Sequence, residues 1–140
     1  MLEQVHQHIT SELNQGARTD TIFVVTAVVF NLLVLGINSV VAGEAAAEPG
    51  NSLVSDLVLA ILIALLILVN SLSITGLLTG RQTRNKLLRG LLAMYRDNEV
   101  DQYYDATLLT NYGRRYLIFT GVILCLATTA IAVPLIIRVV

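Results

Sequence analysis

Three windows of this chain, 21–43, 57–79 and 116–137, contain no Asp, Glu, Lys, Arg or His. They run for 23, 23 and 22 residues. A helix rises about 1.5 Å per residue and the hydrocarbon core of a bilayer is about 30 Å thick, so each window is long enough to cross once. None of them alternates polar with apolar residues as a membrane strand requires. The composition agrees, because 55% hydrophobic and 14% charged residues leave too little polar surface for an ordinary water-soluble domain. The expected architecture is an all-α membrane protein. It has three transmembrane helices at 21–43, 57–79 and 116–137, joined by a loop at 44–56 and a basic segment at 80–115, with 1–20 as an amphipathic N-terminal helix.

The charge distribution sets the expected orientation. Seven of the nine Lys and Arg residues, Arg81, Arg84, Lys86, Arg89, Arg96, Arg114 and Arg115, fall between the second and third windows, and 44–56 has none. Cations are retained on the cytoplasmic side, which places the N-terminus and 80–115 inside and the C-terminus outside. Arg138 runs against this pattern but stands alone. The first twenty residues lack the basic start and apolar centre of a cleaved signal, so the first span is expected in the mature chain. Pro49, Gly50, Asn51 and Ser52 form a turn cluster suited to an antiparallel hairpin of the first two spans.

The extramembrane stretches carry their own periodicity. Leu87, Leu88, Leu91, Leu92 and Tyr95 recur at helical spacing, which predicts an amphipathic helix. Tyr104, Leu108 and Tyr112, spaced by four, predict a second, and Leu2, Val5, Ile9 and Leu13 mark a narrow stripe on the N-terminal helix. Arg84, Lys86, Arg89, Arg96, Arg114 and Arg115 are the expected surface for anionic lipid or a partner helix. Topological retention of cations explains them equally well.

Polar residues within the spans are the next constraint. Counted from the basic end, Asn31 is the eleventh residue of its span and Asn70 the tenth of its own, a difference of about 1.5 Å in height. Cys125, Thr128 and Thr129 bring the third span near the same layer. An amide left unpaired in hydrocarbon costs several kcal/mol, by a rough count, so Asn31 and Asn70 are expected to pair with each other or to line a pore. Asn38 lies two turns above Asn31, and Pro134 frees the carbonyl of Ala130, to which Asn38 is a possible donor. Asn31, Asn38, Asn70, Ser73 and Thr128 are therefore the candidate polar layer, and Glu44 and Asp56 the candidate outer mouth. Ser73, Gly76 and Gly80 form a small-residue seam where another helix can approach.

Several chemistries are disfavoured. Proton-coupled carriers and voltage sensors need ionisable groups at membrane depth, and the spans have none. His6 and His8 are two apart and point to different sides of a helix, so no metal site is expected from them. No Ser, His and acid constellation is visible, and no enzymatic activity, cofactor or nucleic-acid partner is expected. Cys125 is the lone cysteine, which excludes an intrachain disulfide. Asp20, at the entrance of the first span, reads as a helix cap or dipole partner.

The composite expectation is a small homo-oligomeric channel for ions or small solutes with an uncharged polar lining. The alternatives are a non-transporting subunit of a larger membrane complex and a lipid-binding or membrane-shaping protein.

Overall fold

The structure, a computed structural model, describes residues 2–47, 52–99 and 107–139. It comprises three helices: α1 (Leu2–Ala47), α2 (Ser52–Asp97) and α3 (Thr107–Val139). The described residues contain helix and turn but no strand. At 46, 46 and 33 residues, the helices are about 69, 69 and 50 Å long. All three are long and apolar enough to cross a membrane. Each is also longer than its uncharged window, so α1 and α2 run together beyond the apolar zone at the end that carries the basic segment. That end is called the basic end below, and the opposite one the far end.

The helices pack along seams of heptad spacing. On α1 the buried positions are Asp20, Ala27, Asn31, Val34, Asn38, Ala42 and Ala45. On α2 they are Leu59, Leu66, Asn70, Ser73, Leu77, Leu88 and Leu91. On α3 Tyr116, Ile123 and Ala130 recur every seven residues. Steps of three, four and seven keep one face turned to a neighbour in shallow left-handed packing. Two apolar clusters result. Ala27, Leu77, Tyr116 and Ile123 form the one nearer the basic end, and Val34, Leu66 and Ala130 the one nearer the far end. Most large apolar side chains outside these seams, such as Leu32, Leu33, Ile67, Leu68 and Leu117, are exposed. In a chain of this hydropathy that exposed surface is the surface for lipid or for other protein.

Three expectations change. The N-terminal stretch is not a separate helix, because α1 continues unbroken from Leu2 through Asp20 into the first window. No proline interrupts residues 14–24, and Asn14 and Gly16 are carried within the helix, so hydrogen bonding simply propagates. For the same reason Asp20 is no cap: it is buried in mid-helix. The segment after the second window likewise continues α2 to Asp97, where Glu99 turns into the left-handed region (φ 58°) and its N–H bonds to the carbonyl of Arg96 at 3.1 Å. The two extensions cover each other. Leu88 and Leu91 are buried, and Tyr95 Oη lies 3.3 Å from His6 Nδ1. The turn expected at 49–52 and the Tyr104, Leu108 and Tyr112 stripe lie outside the described residues and side chains.

Candidate functional site

Between the two apolar clusters sits a closed amide pair. Asn31 Nδ2 donates to Asn70 Oδ1 at 2.8 Å, and Asn70 Nδ2 donates to Asn31 Oδ1 at 3.1 Å. Each Nδ2 spends its other hydrogen on its own helix, to the carbonyl of Ala27 at 2.7 Å and of Leu66 at 2.8 Å. Both side-chain donors of both amides are thus used, which is the arrangement hydrocarbon demands. At 1% and 5% exposure the pair belongs to the interior of one chain.

Asn38 behaves differently. It is fully buried, and neither its Nδ2 nor its Oδ1 has a hydrogen-bond partner. The expected donation to the carbonyl freed by Pro134 is not made, although Pro134 is itself fully buried. Two turns of similar azimuth bring the amide into the core without placing it on that carbonyl.

At the basic end of the apolar zone, one residue from each helix meets. The Tyr116 hydroxyl donates to Asp20 Oδ2, and Arg84 Nη1 lies 4.0 Å from the same oxygen. Arg84 is therefore largely enclosed rather than displayed to lipid, which removes it from the expected basic surface. Lys86, Arg89, Arg96, Arg114 and Arg115 remain exposed, with the Arg115 guanidinium 5.1 Å over the Phe119 ring.

The small-residue seam is what admits this cluster. A Cβ on Gly80 would lie 2.5 Å from Asp20 Oδ1, and one on Gly76 would lie 2.9 Å from the Phe23 ring. Ser73, the third member of the seam, is buried one turn further along. Beside the cluster, α1 and α2 part to leave a cleft of about 460 Å³, with Thr19, Phe23, Thr79, Thr83 and Arg84 among its walls.

The far end carries a clasp. Arg138 donates through Nε and Nη2 to the two oxygens of Asp56, at 2.8 and 3.2 Å, and through Nη1 to the carbonyl of Ala45 at 3.2 Å. It thereby ties the ends of all three helices. Hydrogen bonding from Arg138 holds the Asp56 carboxyl below its ordinary value, and Asp56 raises the guanidinium in return. The expected acidic mouth is altered accordingly: Asp56 is neutralised by Arg138, while Glu44 is exposed.

The remaining polar groups at membrane depth face outward. Ser71, Thr75 and Thr79 are exposed on α2, Thr75 and Thr79 along the edge of the cleft beside α1 and Ser71 along the one beside α3, and Gln82, Lys86 and Arg89 continue that stripe beyond the apolar zone. Thr75 Oγ1 donates to the carbonyl of Ser71 at 2.8 Å. Thr128 is also exposed, donates to the carbonyl of Leu124 at 2.8 Å, and borders a shallower cleft of about 250 Å³ shared with Asn70.

The union of Asp20, Arg84 and Tyr116 escapes a reading by span, because the three residues lie at or beyond the edges of three different uncharged windows. Its one signal is that a lone acid, a lone aromatic hydroxyl and Gly80 share a height. The outward stripe was legible as hydroxyls spaced by four.

Fold and site together define an all-helical protein whose three helices are long and apolar enough to span a membrane as one tied bundle. Compared with known proteins, the chain matches no family model, no curated protein and no solved structure.

Proposed function

We propose that this chain is the subunit of a homo-oligomeric membrane channel, passive and selective for small ions, with its basic end in the cytoplasm. The observation that carries the reading is the outward face of α2. Ser71, Thr75, Thr79, Gln82, Lys86 and Arg89 follow one another at steps of four, four, three, four and three, all exposed, with Thr75 and Thr79 also bordering the cleft beside α1 and Ser71 the one beside α3. A face given over to lipid along its whole length has no need of this continuity. Around an axis of several copies the same stripe becomes an uncharged hydroxyl lining that opens into a ring of cations. Toward the far end the same azimuth carries Leu57, Ala64 and Leu68, all exposed, a constriction suited to closing by dewetting. The lining thus passes from the buried asparagines to the exposed hydroxyls, and the ring of Lys86 and Arg89 favours anions.

The test is ion flux through purified protein in liposomes under a salt gradient. The expected result is a conductance with anion preference that Thr75→Leu reduces at least severalfold. Asn31→Leu should leave the ion preference unchanged. Bilayers that stay tight at high protein density would overturn the channel reading.

A further inference from the structure

The cleft between α1 and α2 has the size, depth and charge order of a lipid headgroup site. We propose that it seats the head of a phospholipid bearing a primary amine, drawn from the leaflet at the basic end.

Its depth comes first. Phe23 and Gly76 form its inner wall within the apolar windows, and Asp20, Thr79 and Tyr116 mark the boundary. Thr83, Arg84, Leu87 and Glu12 line its outer part. By helical rise Arg84 lies about 7 Å beyond the boundary, at the outer edge of the polar headgroup zone, and Glu12 about 12 Å beyond it, on the water side of that zone, where a terminal amine can reach outward to it. A volume of about 460 Å³ is in the range that holds a small molecule.

The charge order comes second. From the membrane outward the cleft presents an apolar wall, then threonine hydroxyls and the Arg84 guanidinium, then the Glu12 carboxylate. A phospholipid presents its parts in the same order: chain, phosphate, amine. The phosphate would lie against Thr79, Thr83 and Arg84, and an ammonium against Glu12. A headgroup without an amine would leave Glu12 as a repulsive wall, and a trimethylated head has no N–H to donate to it. Asp20 adds no free negative charge to compete for the amine, since it accepts from Tyr116 and neighbours Arg84.

The cleft also has a ready blocking variant. Gly16 lines it, and a Cβ there meets nothing within 4 Å. Gly16→Leu should therefore fill the space while improving helix propensity.

The experiment uses the full chain solubilised from bilayers containing equal phosphatidylethanolamine, phosphatidylcholine and phosphatidylglycerol, with retained lipid counted by native mass spectrometry. Phosphatidylethanolamine is expected to be retained over both others. Gly16→Leu should abolish retention with thermal stability preserved. Glu12→Gln should lower the preference for the ethanolamine head over the glycerol head by about threefold, the scale of an exposed charge pair, while phosphate-dependent retention persists. Equal retention of the three lipids, or a preference unaltered by Gly16→Leu, would overturn the proposal. Displacement by soluble glycerophosphoethanolamine would also overturn it, in favour of a site for a free phosphate ester. None of these outcomes bears on ion flux.

Discussion

Three asparagines on two helices show how context sets the worth of one side chain. Asn31 and Asn70 satisfy each other and their own backbones. Replacing either with Leu removes both cross-helix bonds and strands one amide, but the survivor keeps its bond to its own helix. The expected cost of Asn31→Leu is about 1–2 kcal/mol, and the Asn31→Leu, Asn70→Leu double variant should recover most of it, because no amide is then left unpaired. Unfolding in mild detergent, run as a double-mutant cycle, measures the coupling. Asn38 has the opposite sign. With both polar atoms buried and unpartnered, Asn38→Leu should raise stability, by about 1–3 kcal/mol. A destabilised Asn38→Leu protein would mean that the amide has a partner in the membrane.

At the scale of elements, α2 is drawn onto α1 where glycine replaces a side chain. Gly80→Ala gains about 1 kcal/mol in helix propensity, yet its methyl would occupy the space of the Asp20 carboxylate. Moving that carboxylate breaks the bond from Tyr116, so the net expectation is a loss of about 1–2 kcal/mol, read from the unfolding midpoint. Gly16→Ala, with open space around it, should be neutral or stabilising in the same assay. The far-end clasp responds to acid. Because Asp56 has a lowered value in the folded chain, the clasp contributes fully above the ordinary carboxylate value of about 4. Its contribution is lost as pH falls through the lowered folded value. Amide exchange over residues 135–139 should accelerate in that window, and Asp56→Asn should show the faster exchange already at neutral pH.

The whole molecule is one bundle that outgrows its membrane zone on one side. That asymmetry makes the proposed orientation testable with single-cysteine variants on a Cys125→Ser background. Impermeant thiol reagent should label Ala93→Cys only from the cytoplasmic side and Ala46→Cys only from the outside. The reverse pattern would invert the orientation, turning the cationic end of α2 outward. Closure of the bundle also relocates any pathway. With the amides sealed within one chain, conduction would run between copies along α2 rather than through the protomer.

Much of this could be read without coordinates, because hydrocarbon solvates only uncharged stretches of sufficient length. The three windows, the antiparallel order that short connections impose and the shared height of Asn31 and Asn70 follow from counting along helices of known rise. What counting could not reach was the azimuth at which each helix turns to its neighbours. That angle depends on the simultaneous packing of three surfaces. It alone decided that Asn31 and Asn70 face each other, that Asn38 enters the core unpartnered, that Arg84 leaves the surface to stand beside Asp20 and Tyr116, and that Arg138 reaches Asp56. Residue types and heights are properties of the chain, whereas the pairing of charges and amides across helices belongs to the fold.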